Sequence, residues 1–213
     1  MTTVAIMQPT YLPWIGYFAL MDRVDEFVFL DSVQFARRSW QQRNRIKTAQ
    51  GELMLTVPVR KIGRGEERID LVEIDRSGDF PRSHRRAIEL AYSRAPHFSE
   101  FSQKFFSILE AGHTRLADFN LSLIDWLAQI LGITTSCRRS STLAATGQKD
   151  SLLVAICREL GATEYISAPG SKSYLDDSHG FAEAGISINY HVYEHPTYPQ
   201  LYDPFLPYMS ALD

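Results

Sequence analysis

A chain of 213 residues, 45% apolar and 22% charged, is long enough to bury one sizeable core, or one core with a helical insertion. A formal net charge of −3 excludes the general basic excess of proteins built to coat nucleic acid or membrane surfaces, so an anion site has to be local. Met1-Thr-Thr-Val has no basic, apolar leader pattern, no apolar run nears the roughly 20 residues of a membrane span, and Cys137 and Cys157 make no disulfide or zinc pattern. A cytoplasmic protein without a metal is expected.

In chain order, Val4, Ala5 and Ile6 have the length and content of a buried strand, and residues 14–24 read as an amphipathic helix. Residues 26–31 form a second strand candidate, which gives a Rossmann-like strand, helix, strand start suited to a right-handed parallel crossover. The loop before the helix is polar, aromatic and proline-rich. Pro9 and Pro13 restrict its φ angles and hold Gln8, Tyr11, Trp14 and Tyr17 where open α/β sheets bind ligands, at the carboxyl end of a strand. The plainer reading is a turn whose aromatics pack down. Asp31 closes the second strand and is the candidate catalytic carboxylate.

Between Ser32 and Gly51 lie five basic residues and no acid. Arginine's planar fork suits phosphate, an indole suits a ring, and amides orient polar groups, so Gln34, Trp40, Arg43, Asn44 and Lys47 are candidate substrate contacts. Gln42 is read with them as an orienting amide. The bland alternative is a solvated basic loop that pairs with the chain's own acids. Residues 52–59 and 68–75 read as further strands, the second through its alternation of apolar and polar positions, so a mixed, largely parallel sheet is expected.

Residues 81–131 change to helical periodicity, with helices expected over 82–94, 99–110 and 114–131. They read as an insertion or cap on an α/β core of residues 1–80 and 132–213. That core resumes with a strand at 134–140, a helix at 149–160 and strands at 163–168 and 186–193. The small, polar loop after the third of these offers Ser167, Ser171 and Tyr174, with Lys172 for charge, as an anion cradle, although its spacing is not that of the phosphate-binding glycine loop. His195 stands between a strand and a proline-locked loop and is the candidate general base. His84 shares a helix face with Ile88 and reads as packing or surface, and His179 and His191 lack the paired acids of a zinc site. Gln8, Tyr11, Trp14, Asp31, Gln34, Arg43 and Asn44 are expected to line one pocket, with the loop at 167–174 returning to it.

The stretches Gln8-Pro-Thr-Tyr-Leu-Pro-Trp-Ile-Gly-Tyr-Phe18, Phe29-Leu-Asp-Ser-Val-Gln-Phe35, Trp40-Gln-Gln-Arg-Asn-Arg-Ile-Lys47 and Leu55-Thr-Val-Pro58 resemble the WbqC-like family, as do Tyr165 to Asp176 and His195-Pro-Thr-Tyr-Pro-Gln200. The resemblance covers essentially the whole chain. It implies a role in surface-polysaccharide and O-antigen biosynthesis, hence a transferase acting on a nucleotide-activated amino sugar, with acyl or aminoacyl transfer as the expected reaction. It names no cofactor. The basic segment points to a phosphorylated small-molecule substrate and the overall charge to no nucleic-acid partner; a homodimer is the assembly to test, and the family resemblance implies a continuing helix beyond Asp213. Two alternatives stay open. One is a nucleotidylyltransferase-like enzyme, for which Pro13-Trp-Ile-Gly-Tyr17 replaces the charged His-x-Gly-His pattern; the other is a non-catalytic module binding nucleic acid or a partner through residues 37–47.

Overall fold

The computed structural model describes residues 1–60, 67–175 and 178–213, with Tyr174 described by its backbone alone. The chain forms two compact units. The first comprises Met1–Gln8, Gly16–Ser32 and Gly132–Glu194; the second comprises Pro9–Ile15, Val33–Leu131 and His195–Asp213.

The first unit is built on a parallel sheet of five strands: β1 (Thr3–Met7), β2 (Glu26–Phe29), β5 (Ser136–Arg139), β6 (Glu164–Ser167) and β7 (Ser187–Tyr190), in the order β5-β2-β1-β6-β7. Val4, Ala5, Phe27 and Val28 are wholly buried, because a parallel strand covered on both faces tolerates consecutive apolar residues. Helix α1 (Ile15–Asp22) buries Gly16, Tyr17, Phe18, Leu20 and Met21, which spread around its axis. It is therefore a buried helix and not the amphipathic one expected. Helix α5 (Lys149–Glu159) places Cys157 in the core, and the short helices α6 (Lys172–Leu175) and α7 (His179–Glu183) follow β6. From β1 the order runs to β2 on one side and to β6 on the other, so a topological switch point lies between β1 and β6.

The second unit pairs a hairpin with helices. Strands β3 (Arg43–Thr48) and β4 (Gly51–Thr56) are antiparallel and form their own sheet, so the principal sheet contains only parallel pairs. Helices α2 (Arg82–Tyr92), α3 (Phe98–Glu110) and α4 (Leu116–Ile130) pack around Ile88, Phe105, Leu109, Phe119, Leu123 and Ile124. All three fall where helical periodicity places them. The strand expected over 68–75 is instead a 3-10 turn at Ile69–Leu71 flanked by isolated bridges. Ile69, Val72 and Ile74 are buried, at turn spacing and not at strict alternation, while Leu71 is exposed. Backbone bonds from Ile69 to Val33 and from Ile74 to Thr114 tie the turn down.

Candidate functional site

In the second unit the N-terminal loop is held by carboxamides from distant elements. Asn120, on α4, donates to the carbonyls of Pro9 (3.1 Å) and Gln41 (2.7 Å). Asn44, on β3, donates to those of Tyr11 (3.1 Å) and Leu12 (2.8 Å), and the Tyr11 N–H donates to the Trp40 carbonyl at 3.0 Å. Leu12 accordingly adopts a φ of +44°, in the left-handed region that disfavours a branched side chain. The loop and the basic segment are thus joined by hydrogen bonds, and the loop is rigid.

The side chains this rigidity serves are sorted by burial. Tyr11 has no solvent exposure; its hydroxyl lies 2.8 Å from Nδ1 of His84, whose Nε2 lies 3.2 Å from the Thr56 carbonyl. A carbonyl can only accept, so Nε2 carries the proton, Nδ1 accepts, and Tyr11 donates. Burial pushes the His84 imidazole down to about 4, and burial raises the Tyr11 phenol. The pair packs against Phe80 and Phe119 as core. Trp14 lies parallel to the His195 ring at 6.0 Å between centroids, with Tyr208 edge-on to both.

His195 donates from Nδ1 to the Pro196 carbonyl (2.8 Å) and accepts at Nε2 from the Tyr208 N–H (3.1 Å). The lone pair that a general base would use is therefore engaged by backbone. Tyr198 and Phe205 complete an aromatic surround. Lys47 is 1% exposed and donates to Gln200 Oε1 (2.7 Å) and to the carbonyls of Pro204 (2.5 Å) and Tyr202. All three ammonium protons find acceptors in the C-terminal segment.

In the rest of the basic segment Arg37, Arg38 and Trp40 are exposed, Arg43 and Arg45 are half-buried, and Gln41 and Gln42 are buried. Gln41 and Gln42 accept from the N–H groups of Ala36 (2.9 Å) and Arg38 (3.1 Å), so these amides shape the turn ahead of Trp40; for Gln42 this replaces the ligand-orienting role read from sequence. Trp40 is 48% exposed, with the Arg45 guanidinium 5.4 Å from its ring centroid. Arg45 is fixed by Glu52 at 2.9 Å. Among the described residues Arg37, Arg38 and Arg43 form no ion pair, and the Arg43 Nε is buried without a hydrogen-bond partner. Gln34 is exposed and bridges Arg68 through its backbone. The same unit contains an apolar pocket of about 710 Å³ whose lining includes Tyr92, Phe101, Phe105, Trp126, Gln200 and Asp213. Pro199 and Gln200 of the late motif line it, but none of the candidate catalytic or substrate-binding residues read from the sequence does.

In the first unit the carboxyl edge of the sheet is rich in hydroxyls. Asp31 is fully buried after β2 and its carboxylate accepts four hydrogen bonds: from Arg139 Nε (2.5 Å), Ser140 Oγ (3.1 Å), Ser141 N (2.9 Å) and Ser141 Oγ (2.9 Å). A carboxylate so filled organises a sheet edge and has no lone pair left to take a proton from a ligand. The N–H groups of Asp31 and Ser32 in turn donate to Ser140 Oγ. Tyr17 is 3% exposed and donates to the Gln8 carbonyl at 3.3 Å, tying the end of β1 to α1. At the end of β6, Ser167 and Ser171 share a hydrogen bond of 2.6 Å, and Lys172 lies 5.7 Å from the Tyr190 ring. The expected loop there is a 3-10 turn at Pro169–Ser171 running into α6. The Tyr174 side chain, expected to join this group, lies outside the described residues.

Asn120 escaped the sequence reading although it anchors the loop, because an asparagine inside a helical apolar pattern carries no sign of a partner 111 positions away. Arg139 and Ser141 escaped for the same reason: their acceptor, Asp31, is brought alongside only by the pairing of β5 with β2.

The family model described as the WbqC-like protein family matches residues 8–213. An uncharacterized protein of Mycobacterium tuberculosis (strain ATCC 25618 / H37Rv), Rv1507c, is 40% identical over 215 residues, a span covering 100% of this chain and 92% of that protein. No solved structure matches.

Proposed function

Since the chain belongs to the WbqC-like protein family, we propose that it is an enzyme of surface-polysaccharide (O-antigen) biosynthesis that binds a nucleotide-activated amino sugar. The observation that carries this reading is the junction in the second unit, where the rigid proline loop is bonded through Tyr11 and Asn44 to a segment presenting Trp40 and three arginines that form no ion pair among the described residues. Structural loops seldom need unneutralised guanidiniums beside an exposed indole, whereas a phosphorylated, ring-bearing metabolite uses both.

On this reading Arg43 holds phosphate, Trp40 and Gln34 offer contact surface, and Tyr11, Asn44 and Lys47 act as positioning residues that fix the loop and strand. Trp14 and His195 shape the adjoining C-terminal segment. Acyl or aminoacyl transfer to the sugar amine is the reaction proposed. In the first unit, Gln8, Ser167, Ser171 and Tyr174 are proposed as ligand-contacting positions at the sheet's carboxyl edge, with Asp31 and Tyr17 as their supports.

A thermal-shift screen over nucleotide sugars, free nucleotides, and acyl or aminoacyl donors tests the reading. A nucleotide-activated amino sugar at about 100 times its Kd should add about 2.7 kcal/mol to native stability and raise the melting temperature accordingly. If no nucleotide sugar moves the transition, the substrate reading fails.

A further inference from the structure

We propose that Trp40 and Arg43 form a recognition point for a nucleoside diphosphate, the base stacking on the open face of the indole and the diphosphate engaging the Arg43 guanidinium. The proposal deepens the reading above and rests on it for its substrate class. Trp40 is held and not merely exposed: Arg45 covers it at 5.4 Å, and Arg45 is itself pinned by Glu52 at 2.9 Å and by the Tyr208 carbonyl at 3.4 Å. With 48% of its surface in solvent, the ring keeps a broad area for stacking. Base stacking on an aromatic platform tolerates any base, and an arginine on the opposite side strengthens it by polarising the ring.

Strand alternation sets Arg43 and Arg45 on the same face of β3, roughly 7 Å apart. Arg45 lies against Trp40, so the indole stands beside the face of the hairpin that carries Arg43. Opposite Arg43 across the hairpin stands Thr56, not an acid, while the next same-face position pairs Arg45 with Met54. The one acid on β4, Glu52, is taken by Arg45. Arg43 therefore has no counter-ion among the described residues, and its Nε is buried without a hydrogen-bond partner, which leaves its hydrogen-bonding capacity to a ligand. An arginine guanidinium offers two parallel N–H donors to phosphate oxygens. Arg37 and Arg38, exposed on the turn before Trp40, extend the attraction for a doubly charged group. A carboxylate metabolite without a ring would leave Trp40 unused, and inorganic phosphate would leave it bare.

Calorimetric titration of the full chain with UDP, GDP, dTDP and inorganic pyrophosphate tests the assignment, with circular dichroism melts to establish that each variant folds. Trp40→Ala should weaken the preferred nucleoside diphosphate about tenfold and leave pyrophosphate unaffected, since only the stacked ring is lost. Arg43→Ala should weaken both by tenfold or more, with partial recovery in Arg43→Lys, which keeps the charge and loses the fork. The chain has three tryptophans, so quenching of fluorescence by the nucleotide should also vanish in Trp40→Phe if Trp40 is its source. Equal affinity of wild type, Trp40→Ala and Arg43→Ala for the diphosphates overturns the assignment, and if nucleotide sugars still bind, the broader reading survives it. Absence of binding by all three nucleoside diphosphates also overturns it. Binding with the expected variant pattern, but with no nucleotide sugar bound, keeps the assignment and removes the amino-sugar substrate.

Discussion

At the scale of single residues, burial separates what the N-terminal motif displays from what it stores. Tyr11 and Trp14 look alike in the sequence, yet Tyr11 ends in a core pair with His84 while Trp14 stacks beside His195. Proline spacing made the loop's rigidity legible; it could not reveal side-chain direction, which is set by Asn44, His84 and Asn120 far along the chain. The His84 pair gives a measurable pH effect. Its folded value near 4 lies below the ordinary histidine value of 6.5, so between those values the unfolded chain binds the extra proton. The contribution is complete above about pH 6.5 and is lost as pH falls toward 4, at most about 3 kcal/mol. In denaturant titrations at pH 7 and pH 4.5, wild type should lose more stability on acidification than His84→Gln, which has no imidazole to charge. An equal loss in both would mean that His84 titrates normally.

At the scale of elements, the hydrophobic period was a sound guide wherever an element makes its own case. The helices at 82–92, 98–110 and 116–130 and the strands β1, β2, β5, β6 and β7 fall within a few residues of their expected places. β3 escaped notice because Arg43, Arg45 and Lys47 read as a charged loop, although Asn44, Ile46 and Thr48 alternate with them at period two. Position in a hairpin, and not apolar content, makes that strand. It also converts one lysine into a clamp, because Lys47 is the only part of β3 whose side chain bonds to residues 200–204 among the described contacts. Lys47→Met should keep the strand and release the clamp, taking the Lys47 donor from the carbonyls of Tyr202 and Pro204 while Gln200 Oε1 keeps the Leu206 N–H, at a cost of about 2–4 kcal/mol. Hydrogen exchange should quicken across residues 198–208 more than across β4, and uniform quickening everywhere would mean that the lysine supports the whole unit.

For the molecule as a whole, charge distribution matters more than total charge. Five bases fall between Ser32 and Gly51, while the complete chain carries −3. Phosphodiester chains need a broad basic surface, because each neutralised phosphate adds a counterion-release increment, and too few of them leave affinity weak at physiological salt. Micromolar protein at physiological salt should therefore fail to retard single-stranded or duplex oligonucleotides in a gel. Retardation that falls steeply with added salt would favour the polynucleotide-binding alternative over a mononucleotide site. The α/β class and the parallel start were legible at this scale because they depend on local patterns, whereas the division into units was not, since it depends on which distant segments meet.

The order of the five-stranded sheet has a consequence for how the protein comes into being. β1 is made first, at residues 3–7, but the neighbour it pairs with on one side, β6, begins 161 positions after its start, at Glu164. During synthesis, β1 and β2 can pair early, yet the open side of β1 stays without its partner until β6 has left the ribosome, and β7 comes later still. Closing so long a loop is slow and exposes an unpaired strand edge in the meantime. The sheet is thus completed only when β6 and β7 have been made, and a gene fragment ending before β6 would encode a strand edge with nothing to close it.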